Sequence, residues 1–191
     1  MTSELLPRAR AWVEAVHPHA RHLLRTEEWA VMLEPGAGEG LRIAAALHDI
    51  ERAFPDPEAG WDSARDWDSP EYNRWHQDRC ADIASDWLRA QGAPPPLVAE
   101  ADALIRVHEV GGWPQADVLQ AADSLSFLET MVPLVVGWVE GGRAPRERAA
   151  AKITNSVERM QPGLTRARAL AAPMLADALR AVAGAREGAR R

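Results

Sequence analysis

Four histidines and two aspartates stand at positions where they could do chemistry together: His22, the adjacent pair His48-Asp49, His76, His108 and Asp123. Each lies among residues at helical spacing. His22 shares a stripe with Thr26, Trp29 and Leu33, His48 with Leu41, Ala44 and Ala45, and His76 with Tyr72, Cys80, Ile83 and Trp87. His108 ends the stripe Leu97, Ala101, Leu104 and Ile105, and Asp123 lies one turn beyond Leu119. Residues recurring every three or four positions face one side of a helix, so these groups are expected to point inward from five helices. Taken singly, an inward histidine is a core residue bonded to a carbonyl, and an aspartate caps a helix or pairs with arginine. Taken together they are costly to bury unless something offsets them. A metal centre does, and bundle cores are where helical proteins build one. Imidazole and carboxylate without thiolate favour iron or manganese, with zinc, cobalt or nickel also suited, over a sulfur-rich structural zinc site.

The pair His48-Asp49 is the most specific element. Neighbours on a helix point about 100° apart, so the two are not equivalent ligands on one face. A carboxylate has two oxygens, however. Asp49 is therefore expected to bridge two ions while His48 binds one, with a shared water or hydroxide between ions about 3.5–4 Å apart.

The elements that must position these groups read as helices throughout. Strand signals are nearly absent, and helical periodicity is expected over 3–16, 19–33, 40–52, 70–90, 97–109 and 115–140, the last kinked or interrupted at Pro133. Two further helices follow Pro145 and Pro162, spanning 145–184, and the basic, glycine-containing stretch from 184 to 191 is expected to fray. Ser69-Pro70 is a helix start, with serine as N-cap and proline in the first turn. Residues 53–69 read as a loop long enough to serve as a lid, with Trp61 and Trp67 packing it down. Without repeats or a linker, residues 1–191 are expected to form one all-α domain.

Composition narrows the partners. The chain has 191 residues, 47% hydrophobic and 26% charged, with a formal net charge of −6. That charge disfavours nucleic acid and anionic lipid as partners. No run is long and apolar enough to span a membrane. The N-terminus lacks a secretory pattern and the lone cysteine, Cys80, has no internal partner, so a cytoplasmic setting is expected. The run 134–139 and the alanine-rich C-terminal helix are candidates for an interface between copies.

In order and local text, His22…His48-Asp49…Asp123 resembles the signature of the HD superfamily of metal-dependent phosphohydrolases. His22-Leu23-Leu24-Arg25-Thr26, Ala44-Ala45-Ala46-Leu47-His48-Asp49-Ile50 and Ala121-Ala122-Asp123-Ser124-Leu125 carry the likeness, which covers about 19–130. His76 and His108 match the subgroup with dinuclear centres. The resemblance implies a helical bundle in which His22, His48, Asp49 and Asp123 hold one ion, and Asp49 bridges to a second held by His76 and His108. His19, one turn earlier, competes with His22, but Arg25 and Thr26 fit the family spacing from His22. The gap from His108 to Asp123 is short and requires a helix to begin almost at once after Gly111-Gly112.

The expected activity is hydrolysis of a phosphate ester or anhydride in a nucleotide or other small phosphorylated metabolite, with Asp49 as the catalytic bridge. Candidate substrate-binding cations are Arg25, Arg52 and Arg79, each also readable as a surface ion pair. Lys152, Asn155, Ser156 and Arg159 share one face of the seventh helix and form either an anion-binding wall or, with slightly more weight, a solvated stripe. Glu51 and Glu109 could act as general acids or support the ligands from behind, but a solvated carboxylate is the expected role of each. Two alternatives remain: a mixed-valent di-iron oxygenase acting on a small polyol or organophosphonate, since relatives with the same ligand set do this, and an inactive HD-type binding module.

Overall fold

The computed structural model describes residues 4–186 and 188. The protein is all-α, 74% helical, and no strand occurs among the described residues. Three helices lead: α1 (Leu5–Val16), α2 (Ala20–Leu33) and α3 (Glu39–Leu47). A 3-10 turn, Ile50–Ala53, follows. The chain then crosses by a second 3-10 turn (Pro57–Ala59) and the single-turn α4 (Ser63–Asp66) to α5 (Pro70–Ala90). The rest comprises α6 (Pro95–Ile105), α7 (Pro114–Thr130), α8 (Val132–Glu140), α9 (Arg146–Glu158) and α10 (Thr165–Gly184).

Two apolar cores share α7. The first joins α1, α2, α3, α5 and α6 to Ala116, Leu119 and Ala122 on one face of α7. The second joins α8, α9 and α10 to Ala121, Leu125 and Leu128 on the other. The alanines of α3 let it sit close among α1, α2 and α6; Leu41 and residues 43–50 are all buried. Most of the run 134–139 turns inward on the second core, with Val135, Trp138 and Val139 buried. No single described helix is long and apolar enough to cross a membrane.

Several boundaries differ from expectation, each for a local reason. The helix expected over 40–52 stops at Leu47, where His48 takes the cap and Asp49 leaves helical geometry at φ −109°, ψ 14°. The Ala45 carbonyl, which residue 49 would use in a continuing helix, accepts from His48 Nδ1 at 2.9 Å. The helix expected to reach 109 likewise ends at Ile105, whose carbonyl accepts from His108 Nδ1 at 2.8 Å. The stretch 115–140 is two helices bent by 57° at Met131, with Pro133 in the first turn of the second. Segment 53–69 is not structureless: Asp62 caps α4 by accepting from Ala64 N at 2.8 Å. Trp67 is buried beneath it, whereas Trp61 is 39% exposed and only meets Tyr72 edge-on. Ser69 caps α5 as expected. The tail is pinned where it is described: Ala185 is buried and accepts from Arg146, and Gly188 N bonds Val139 O. Residues 187 and 189–191, where fraying was also expected, lie outside the described residues.

Candidate metal centre

Five helices and their ends bring His22, His48, Asp49, His76, His108 and Asp123 into one buried cluster. All four imidazoles are at most 3% exposed. The rings of His22 and His48, His48 and His108, and His76 and His108 are each 5.2 Å apart.

What orients the rings is the bonding of their outer nitrogens. His48 and His108 meet carbonyl oxygens, which can only accept, so in both the proton sits on Nδ1. His22 Nδ1 lies 3.0 Å from Ser126 Oγ, and that hydroxyl spends its own proton on the His22 carbonyl at 2.7 Å. His22 Nδ1 is therefore also a donor. His76 Nδ1 lies 2.9 Å from the buried carboxylate of Glu51. With every Nδ1 committed, a ring that is neutral offers the lone pair of Nε2 to the interior; His76, whose two nitrogens both face carboxylates, carries both protons until a cation displaces the one on Nε2. This is the outer-shell pattern that fixes metal-binding histidines.

Those Nε2 atoms converge on two carboxylates. Asp123 Oδ1 is 3.2 Å from His22 Nε2 and 3.3 Å from His48 Nε2. Asp49 divides its oxygens: Oδ1 is 2.8 Å from His76 Nε2 and 3.9 Å from His108 Nε2, while Oδ2 is 3.9 Å from His22 Nε2. Two groups of mutually close donor atoms result, His22-His48-Asp49 and Asp49-His76-His108, and each could hold a metal ion. The Nε2 atoms of His48 and His108 are buried without a hydrogen-bond partner. A buried nitrogen left so is costly unless something else takes its lone pair.

Electrostatics favour a cation here. Burial alone would raise the Asp49 carboxyl, but Arg52 and His76 outweigh it and hold it well below the usual carboxylate range. Asp123 behaves alike: burial is outweighed by Arg159, His48 and His22. Burial pulls His48 down, yet Asp123 and Asp49 carry it above its ordinary value. His76 is also raised against burial, by Cys80 and Asp49. For His108 burial wins, lowering it to about 4.

Beside the cluster lies a cavity of about 190 Å³. Of the candidate substrate-binding residues, Arg52, Lys152 and Arg159 face it. Three do not. Arg25 is spent on Glu129, Glu28 and the face of Trp29; Arg79 holds the Phe54 carbonyl and Asp56; Asn155 stays off the cavity wall. The weighting of the 152–159 face toward solvent is corrected, because α9 packs on α7 and brings three of its four polar residues inward. Arg159 bridges Asp123 and Glu109 and donates to Ser124 Oγ at 3.1 Å. Lys152 Nζ sits 5.5 Å from the Trp67 ring centre and 5.4 Å from that of Phe127. His19 lines the cavity and is not among the clustered donors.

Sequence reasoning missed His17. Its Nδ1 accepts from His19 N at 3.0 Å, so its Nε2 carries the proton and donates to the Asp49 carbonyl at 3.1 Å. That bond braces the backbone where α3 gives way. Ser126, which turns the His22 ring, was also missed; its one signal is the three-residue step from Asp123 on the same face. Compared with known protein families, curated proteins and solved structures, the chain matches none.

Proposed function

We propose that the protein is a metal-dependent phosphohydrolase of the HD type, acting on a small phosphorylated metabolite. The observation that carries this reading is the set of four imidazoles with Nδ1 committed and Nε2 turned onto two carboxylates, one of which divides its oxygens between two donor groups. His22, His48, Asp123 and Asp49 Oδ2 would hold one ion, and Asp49 Oδ1, His76 and His108 the other. Iron or manganese suits this donor set. Bound there, such ions polarise a phosphoryl oxygen and make water nucleophilic at neutral pH.

The chain's own groups then have distinct tasks. Arg52 and Arg159 keep the carboxylates of Asp49 and Asp123 ionised and in place. Lys152 faces the cavity with no ion pair or hydrogen bond among the described residues, which leaves its charge for an incoming anion. Trp67, which ends α4, is buried and forms part of the cavity wall. Positive charge around a cavity beside two carboxylates suits a phosphoryl or phosphonate group better than a neutral polyol, which disfavours a polyol oxygenase and leaves the organophosphonate oxygenase to the test below.

The test is metal analysis of the purified protein, low-temperature EPR, and phosphate release from a panel of phosphomonoesters. About two ions per chain are expected, falling on His76→Ala or His108→Ala, with phosphate release abolished by Asp49→Ala. A coupled mixed-valent iron signal with substrate-dependent oxygen uptake would transfer the reading to an oxygenase. Metal loading without activity on any ester would leave a binding module.

A further inference from the structure

The cavity beside the donor cluster is two-faced. The carboxylates and Arg159 line it on the cluster side, Trp67, Phe127, Met131, Leu134 and Trp138 supply apolar wall, and Lys152 lies against two of these with its Nζ over the Trp67 and Phe127 rings. Trp67, Met131 and Trp138 are buried, and Phe127 and Leu134 half-buried. Resting on the phosphohydrolase reading, we propose that the substrate is the monophosphate ester of a compact apolar alcohol, a single aromatic ring or a short branched chain, rather than a nucleotide or sugar phosphate.

Three observations lead to this class. The first is size. An apolar cavity of about 150 Å³ accepts one benzene ring, and pockets for larger ligands run to about 300 Å³ and more. At about 190 Å³ this cavity takes one small body together with its phosphoryl group, and a nucleoside has both a sugar and a base to place.

The second is charge. Arg52 is engaged by Asp49 and Tyr72, Arg143 by Asp62, and Arg159 by Asp123 and Glu109. Lys152 has no hydrogen bond or close ion pair among the described residues; its ammonium lies over the Trp67 and Phe127 rings and feels the Glu109 carboxylate. With the proposed ions holding the phosphoryl group at the donor cluster, one ammonium is left for further charge, which suits a monophosphate better than a di- or triphosphate.

The third is the character of the far wall. Sugar hydroxyls lose water on entering and need partners inside. The Ser156 hydroxyl gives its proton to the Ile153 carbonyl at 2.7 Å and can only accept, the Tyr72 hydroxyl accepts from Arg52 at 3.1 Å and can still donate, and Asn73 lines the cavity too, so few groups remain for the several hydroxyls of a sugar. His19, Ser63 and Arg143 border a second, outer cleft as well, which places them at the mouth rather than in the depth. Trp67 Nε1 is a further donor, buried and without an acceptor. One ester or phosphoryl oxygen satisfies it.

The experiment compares manganese-reconstituted protein on phenyl phosphate, 3-methylbutyl phosphate, glycerol 3-phosphate, ribose 5-phosphate and adenosine 5′-monophosphate. In parallel, calorimetry measures binding of two non-hydrolysable probes, phenylphosphonate and 2,3-dihydroxypropylphosphonate. At least tenfold higher kcat/KM for the two apolar esters is expected, with phenylphosphonate the tighter probe by a similar factor. Leu134→Ala and Met131→Ala, which enlarge the apolar end, are expected to narrow that ratio by admitting the nucleotide. Equal or better turnover of the polyol esters or the nucleotide overturns the proposal. Absence of hydrolysis with the tenfold binding preference intact sinks the hydrolase reading and leaves the selectivity standing. Absence of both turnover and preference overturns the two together.

Discussion

Asp123 and Glu109 are tolerable inside the protein because Arg159 reaches both while itself only 12% exposed. Removing one partner of such a buried group leaves uncompensated charge, at a cost of about 3–5 kcal/mol. Arg159→Met is therefore expected to lower the melting temperature of chelated protein by roughly 10 °C. The loss should shrink when metal is restored, because a cation then meets Asp123 from the other side. Thermal melts with and without chelator check this. The histidines add a dependence on pH whose sign differs between the two forms. His48 and His76 are raised above 6.5, so in chelated protein their contribution is complete below that value and fades as pH climbs through their folded values. Asp49 and Asp123 are lowered, so their contribution is present above 3.8 and is lost only in strong acid. His108, lowered to about 4 by burial, stays neutral in the fold while the unfolded chain still takes up its proton below 6.5, so its contribution runs the other way and grows as pH rises from about 4 toward 6.5. A bound metal needs the same Nε2 lone pairs unprotonated, so its stabilisation grows with pH. The gap in melting temperature between loaded and chelated protein is expected to widen from about pH 6 to about pH 8; a constant gap would detach these histidines from the metal. The donor types and their inward faces were legible in the sequence. Arg159 was legible only as part of a polar stripe, because a stripe shows which residues share a face and not which neighbour that face meets.

Helix ends, rather than helices, do the positioning. Periodicity placed His48 and His108 on helices that run on past them, and both helices stop short. A histidine taking the carbonyl three residues back leaves no mark on hydrophobic spacing, and neither site has the glycine or proline that normally announces a terminus. The segment between His108 and Asp123 shows the opposite case, where punctuation was readable. Gly111 and Gly112 adopt φ of 71° and 134°, and the chain enters α7 at Pro114. Asp117 Oδ1 accepts from Gly112 N at 2.8 Å, and a Cβ on Gly111 would collide with that same oxygen. Gly111→Ala is expected to cost about 1–3 kcal/mol through the left-handed backbone and the lost cap. Because this turn sets His108 against α7, metal affinity should fall with stability. Equilibrium melts alongside metal titration would show both effects, and an alanine variant that binds metal normally would show that the turn does not set His108.

At the scale of the molecule, the donor cluster sits where the two cores meet. The histidines and Asp49 come from α2 and from the ends and middle of α3, α5 and α6, all packed in the first core. Asp123 comes from the shared α7, and Arg159 and Lys152 from α9 in the second core. A cation held by this set ties elements from 22 to 123 in sequence, and through Asp123 and Arg159 it reaches α9. An ion that binds only the folded chain stabilises it by about 4 kcal/mol when present at a thousand times its dissociation constant. For a chain of this size that corresponds to roughly 8–16 °C in melting temperature. Since α7 belongs to both cores, the gain is expected to shift one cooperative transition as a whole. Calorimetric melts before and after chelation distinguish the cases. A single peak moving by that amount fits one unit built around the cluster. If chelation instead splits the transition in two, with the lower step confined to helices α8–α10, the seam along α7 is weaker than the packing implies and the ion stabilises only the first core.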